Sequence, residues 1–274
     1  MLDILVHANN HESSTCSMRY AAHVANLLDG SLTGIFVAPE LAPVSSVGMP
    51  IPFPEFRAFA AELIEQARNA EGRFCQWAGE CGVAKSRWQV ADGPLISVLA
   101  SAANWHDLLV LESGNSSPWS SVGVLGRILL TCGLPCMVVP ESYGKQEPIE
   151  NVLIASNGSA ETIRTVHAAI PLLRRAKRIS LICGSRIESY SAIDWQPPVS
   201  VEGLLAWHGL SASERMIDAA AEDVGGEILT AAWESDANLI VMGAYGRSRF
   251  SEWFLGGATR YVLEHAKLPL FMRN

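Results

Sequence analysis

The residues best suited to chemistry lie near the C-terminal end of the chain. Gly243-Ala244-Tyr245-Gly246-Arg247-Ser248-Arg249 is followed, after residues 250–255, by Gly256-Gly257-Ala258-Thr259. Glycines after a strand let the backbone approach a ligand with no Cβ in the way. Free N–H groups at a helix start face outward with the positive end of its dipole, which suits a phosphate. Arg247 and Arg249 can add charge-assisted contacts to phosphate oxygens. A plainer role fits the same residues, because glycines after a strand also make tight turns and loop arginines are commonly solvated. The coupling of Gly243-x-x-Gly246 to a second glycine pair at a helix start tips the reading toward phosphate.

Other groupings carry less. His7 and His11 have i,i+4 spacing but fall on a strand end and a loop, where that spacing does not converge as it does on a helix, so ordinary polar loop residues are expected rather than a metal site. There is no Gly-x-Ser-x-Gly elbow and no Walker-type glycine-lysine loop. No catalytic residue is assigned, and slow ATP hydrolysis would need a water-positioning group and a magnesium ligand that the sequence does not identify. His167 reads as a satisfied core histidine, and Trp233 and Trp253 as packing residues. The six cysteines are scattered without a Cys-x-x-Cys pair and read as reduced thiols.

The elements that must position the glycines alternate strand and helix. Leu2 to His7 is an apolar run. Ser13 or Ser14 can cap a helix with Met18, Ala21, Ala22, Ala25 and Leu28 on one face, and Gly30 ends it. Strands follow at Leu32–Val37, near Arg87–Ala91, at Leu108–Leu111 and at Pro135–Val139. Between them, Phe56, Phe59, Ala60, Leu63, Ile64 and Ala67 give one helix its apolar face. Strands apolar on both faces, separated by helices, mean a parallel sheet covered on both sides. After a polar linker, Glu141 to Pro148, the pattern restarts. Val152 to Asn157 repeats Ile4 to Asn9, with Asn157 lying 148 residues after Asn9. Ser159 caps a helix with Ile163, Val166, Ile170 and Leu173. Leu239-Ile-Val-Met repeats Leu108-Leu-Val-Leu, and Leu268-Pro-Leu-Phe-Met repeats Leu134-Pro-Cys-Met-Val. Three matches in one order indicate an internal repeat. The expected fold is α/β: two tandem, doubly wound, five-stranded parallel-sheet domains, Rossmann-like, over residues 1–141 and 149–274, related by a pseudo-twofold axis.

Gly243-x-x-Gly246, nine intervening residues, then Gly256 and Thr259, resembles the nucleotide-binding motif of the universal stress proteins. Leu263 to Met272 is similar to that family's last helix and strand, and Asn157-Gly158-Ser159 falls where the family carries Asp-Gly-Ser. The resemblance implies a tandem universal stress protein of the adenine nucleotide alpha hydrolase-like fold. It implies that ATP or a related adenine nucleotide binds at Asn157, Gly158, Ser159, Gly243, Gly246, Arg247, Ser248, Gly256, Gly257, Ala258 and Thr259, with magnesium entering only with the nucleotide. Two departures stand out: Asn157 replaces the family's carboxylate, and Gly257 stands where ATP-binding members carry Ser or Thr. In the first copy Glu112 replaces Gly243 and the glycine motif is nearly gone.

Of 274 residues, 49% are hydrophobic and 18% charged, enough for a sizeable core. A formal charge of −8 without any basic run argues against nucleic acid. No stretch of 18 apolar residues occurs, and Met1-Leu2-Asp3-Ile4 has no basic leader region, so a cytoplasmic protein without a membrane partner is expected. Each copy ends in a short uncharged strand, an edge that invites pairing, so the two last strands are expected to pair antiparallel within one chain, with a homodimer of such chains left open. Two functions remain: a stress-response protein binding a small phosphorylated ligand in the second domain, and a non-catalytic pseudo-dimeric interaction scaffold with vestigial pockets.

Overall fold

The computed structural model describes residues 2–39, 53–114, 122–144, 148–184, 199–217, 223–244 and 256–274. The first half runs β1 (Asp3–His7), α1 (Cys16–Leu27), β2 (Ser31–Ala38), α2 (Phe53–Arg68), α3 (Glu71–Glu80), β3 (Lys85–Asp92), α4 (Leu95–Ala103), β4 (Leu108–Ser113), α5 (Val122–Cys132) and β5 (Cys136–Pro140). The second runs β6 (Asn151–Ser156), α6 (Ala160–Leu173), β7 (Arg178–Cys183), α7 (Val201–Trp207), β8 (Ser213–Met216), α8 (Val224–Glu234), β9 (Leu239–Gly243), α9 (Gly257–His265) and β10 (Leu270–Arg273).

All ten strands form one sheet in the order β3-β2-β1-β4-β5-β10-β9-β6-β7-β8. Read from each outer edge inward, the two halves have the same strand order. Within a half every pairing is parallel; Ile4 lies beside Leu32 and Leu108, and Val152 beside Ile179 and Leu239. The halves meet where β5 and β10 run antiparallel, with Leu270 opposite Val138, Phe271 opposite Met137 and Met272 opposite Cys136. That register places a pseudo-twofold axis near Met137 and Phe271. Both strands are fully buried there, as apolar residues with no charge at the junction allow.

Two cores form, one on each face of the sheet, and each runs through both halves. One is built with α1, α3, α6 and α7, through residues such as Tyr20, Phe74, Val166 and Leu205. The other is built with α4, α5, α8 and α9, through Leu99, Leu125, Ile228 and Val262. Tyr143, just past β5, is buried against Tyr20 with ring centroids 5.8 Å apart, so the end of the first half is packed down before the second begins.

Several apolar side chains do not sit where sequence periodicity puts them. His167 is exposed rather than in the core, its ring edge-on to His208 at 6.2 Å, and Ile163 is exposed beside it. The buried stripe of α6 holds Val166, Ile170 and Leu173 as expected, together with Thr162, Thr165 and Ala169. Thr165 fits because its hydroxyl donates to the Glu161 carbonyl at 2.6 Å. Hydrophobicity alone cannot register that compensation. Trp233 is likewise no packing residue: it is 80% exposed, because α8 buries Ile228, Ala231 and Ala232 on the opposite side. Phe59 is mostly exposed, and α2 meets the sheet more through Ala67. Trp253 and the side chain of Phe56 lie outside the described residues. The described cysteines are free thiols; burial pushes the Cys132 thiol up to about 11 and the Cys136 thiol well above the usual thiol range, which makes these two poor nucleophiles. Among the described residues no helix is long and apolar enough to cross a membrane.

Candidate functional site

In an open α/β sheet the crevice forms beyond the carboxyl ends of the strands where strand order reverses. In the second half that point lies between β6 and β9. At the end of β6, Gly158 has φ 71°, a left-handed conformation that favours glycine, and it turns the chain sharply into α6. Ser159 caps α6: its Oγ accepts the Thr162 N–H at 3.3 Å. Asn157 Oδ1 accepts from the Ser159 N–H at 3.1 Å and from the Thr162 hydroxyl at 3.0 Å. At the end of β9, Gly243 lies so close to α6 that a Cβ would stand 2.8 Å from Thr162 N and 2.9 Å from its Oγ1. Glycine at 243 is therefore needed for strand and helix to meet, whatever else it does.

Gly256 and Gly257 are different. Among the described residues a Cβ at either would meet nothing within 4 Å. Gly256 caps α9 without any side-chain hydrogen bond. The first-turn N–H groups of Gly257, Ala258 and Thr259 have no intrahelical acceptor, as at any helix start. Here two glycines add no side chain to that helix end.

These elements enclose a cleft of about 110 Å³. Ser156, Asn157, Ser159, Thr162 and Thr259 give it hydroxyls and an amide, and Ile182, Ile217, Val224 and Ile228 give it an aliphatic wall. Among the described residues no charged side chain lines it. Asn157, Ser159, Gly243, Ala258 and Thr259 all line this one cleft. Gly158 forms the turn behind it, and Gly256 and Gly257 lead into its helix. Gly246, Arg247, Ser248 and Arg249 lie outside the described residues. Sequence reasoning missed Ser156, Thr162 and the aliphatic wall. Thr162 is recoverable as the third residue after a Ser cap. Ile217 is not, since it follows β8, a strand with no buried side chain.

The first half holds the same position differently. Strand register sets Glu112 in the place of Gly243, because Leu108 lies beside Ile4 as Leu239 lies beside Val152. The Glu112 side chain is buried and bridges two donors: Asn9 Nδ2 donates to Oε1 at 2.9 Å, and the Ser17 N–H, in the first turn of α1, donates to Oε2 at 3.0 Å. A carboxylate thus sits against the positive end of α1. Asn9 is turned accordingly, with its Oδ1 3.1 Å from His7 Nδ1. Burial holds the His7 imidazole down at about 4, the hydrogen bond to Asn9 opposing that only partly.

The profile of the Universal stress protein family matches residues 148–272, the half that carries the bare α9 start and the hydroxyl-lined cleft. Those residues form a universal stress protein domain. Solved structures share the fold over the whole chain. A universal stress protein from Archaeoglobus fulgidus DSM 4304 superposes with a TM-score of 0.71 at 17% identity, covering 100% of this chain and 96% of its own. A functionally unknown protein from Pseudomonas aeruginosa PAO1 does so with 0.56 at 14%, covering 100% and 92%. At such identities the likeness is one of fold. No curated protein sequence matches the chain. Beside the universal stress protein domain, the first half has its strand order but fills the corresponding position with its own carboxylate.

Proposed function

We propose that the universal stress protein domain binds an adenine nucleotide and that the chain serves a stress response by binding rather than by catalysis. In this reading the phosphates lie against the N-terminus of α9, with Gly246, Arg247 and Ser248, earlier in the chain, contributing. The base lies against Ile182, Ile217, Val224 and Ile228. The observation that carries the reading is the start of α9: among the described residues no side chain caps it, and none places an atom within 4 Å of a Cβ at Gly256 or Gly257. A helix start with no ligand to meet gains only a few tenths of a kcal/mol, roughly, from Ser, Thr, Asp or Asn in place of Gly at the cap, so it is the open approach that Gly256 and Gly257 leave that carries the reading. In the first half, Glu112 puts a negative charge at the position of Gly243, beside the corresponding cleft, so one nucleotide per chain is expected.

Calorimetric titration of the whole chain with ATP, ADP and AMP, with and without magnesium, tests this. Saturable binding at one site per chain supports it, and so does its loss in Gly257→Val, which fills the open space. No heat at millimolar nucleotide refutes it. The interaction scaffold is the alternative, favoured by one observation: the Asn157 acceptor is already engaged by Ser159 and Thr162, which leaves it less free for a nucleoside.

A further inference from the structure

The first half differs from the second in two places that meet in space. Its loop into α1 is longer, with the cap Thr15 six residues after Asn9, where Ser159 is two after Asn157. It also carries α2 and α3, where the second half shows only the seven-residue α7 among its described residues before β8. Between the long loop and α3 lies a cavity of about 170 Å³. It belongs to the α1/α3 face of the first half, whereas the cleft of the second half lies between the ends of β6 and β9 and the starts of α6 and α9.

One wall is aromatic and fixed in place. Trp88 Nε1 donates to the Ala67 carbonyl at 2.8 Å; Phe74 lies 5.0 Å from Trp88 and 5.7 Å from Trp77, ring centre to ring centre. Gly34 on β2 makes room for this group, since a Cβ there would be 2.6 Å from Trp88 and 2.8 Å from Phe74. The other wall is the loop. It is held by Asn10 Oδ1, which accepts the N–H groups of Glu12 at 3.0 Å and Ser13 at 2.9 Å, and by His11, edge-on to Phe36 at 5.3 Å. Both walls are therefore built before any ligand arrives, which lowers the ordering cost of binding.

Two ionised side chains line the cavity, Arg73 and Glu12. Arg73 makes one hydrogen bond among the described residues, a long one of 3.4 Å to the His11 carbonyl, which leaves most of its fork of donors for a ligand. It sits in the first turn of α3, whose N-terminus has no side-chain cap and whose dipole adds to the attraction for an anion. Glu12 limits that attraction to a single negative charge and opposes a phosphate dianion.

We propose that this cavity binds a small planar aromatic monoacid, of one or two rings, with the ring against Trp77, Phe74 and Met18 and the carboxylate on Arg73. Aromatic faces give such a ring its offset or edge-on contacts, and guanidinium pairs with carboxylate in a bidentate fork.

The test uses the whole chain with indole-3-carboxylate, neutral indole and cationic tryptamine as probes, followed by calorimetry and saturation-transfer NMR. The carboxylate should bind saturably, about tenfold tighter than indole, and tryptamine weakest. Arg73→Ala, an exposed change that removes no core contact, should erase the preference for the acid and leave indole binding unchanged. Trp77→Ala should weaken acid and indole alike. Saturating ATP should leave all of these values unchanged. An acid bound no tighter than indole, a preference that survives Arg73→Ala, or no saturable binding of any probe at millimolar concentration overturns the proposal.

Discussion

Replacing Glu112 by Ala removes a buried carboxylate from between two donors. One is the Ser17 N–H at 3.0 Å and the other the Asn9 amide at 2.9 Å. A hydrogen bond to a charged group contributes about 1.5–3 kcal/mol, and a partly buried charge at a helix end up to about 2 kcal/mol. These overlap, since the Ser17 bond is itself part of the helix-end interaction. The cleft beside Glu112 is open to water, which can re-satisfy one donor. The expected loss for Glu112→Ala is therefore about 2–4 kcal/mol. Glu112→Gln keeps the shape and one acceptor but loses the charge, for about 1–2 kcal/mol. Urea unfolding at unchanged slope measures both, and hydrogen exchange at the start of α1 localises the effect. Added formate should restore part of the stability of the Ala variant alone, by supplying the missing anion. If Glu112→Ala loses less than about 1 kcal/mol, or Gln is as stable as Glu, the carboxylate is not holding α1 and the reasoning fails.

Gly243→Ala should destabilise by about 1–3 kcal/mol in chemical denaturation, because its Cβ meets the Thr162 backbone, whereas Gly257→Ala should fold at least as stably as the parent while binding nucleotide more weakly. His7 is held near 4 when folded against 6.5 when unfolded, so the unfolded chain binds the extra proton. Stability should then fall by up to about 3 kcal/mol as pH drops from 6.5 to 4, with no further loss from this group below that, and His7→Gln should flatten the window in pH-dependent unfolding. Phe271→Ala, in the junction between the halves, should cost about 3–5 kcal/mol and raise hydrogen exchange in β5 as well as in β10.

The central strands were legible because a parallel strand buried on both faces is an uninterrupted apolar run, whereas β8, with four exposed side chains, gave no such signal. The repeat was legible for the same reason, together with the Asn that closes β1 and β6. The Ser159 cap was readable from one residue type before an apolar stripe. Helix faces were less so: Val166, Ile170 and Leu173 are buried as periodicity expects, but Thr162 and Thr165, the latter satisfied by backbone, share that stripe while Ile163, His167 and, on α2, Phe59 lie outside it. In the candidate site, Gly243 and Gly257 look alike in sequence and differ in cause. One is glycine because α6 presses against it, the other although no described residue does. Only coordinates separate contact from vacancy, and the aliphatic wall gathers from β7, β8 and α8, elements too far apart in sequence to announce a shared pocket.

The antiparallel seam of β5 and β10 has a consequence for how such a protein can change. In a pair of identical subunits every substitution is written twice, so a residue that fills one cleft fills both. Here the seam joins two stretches of a single chain, and each side mutates alone. Position 112 could acquire a carboxylate while position 243 kept none, and the long loop with its aromatic cavity could grow on one side without lengthening the other. Covalent fusion turns a symmetric object into one whose two faces can specialise, while the seam, where both sides must still match strand for strand, is the region least free to drift.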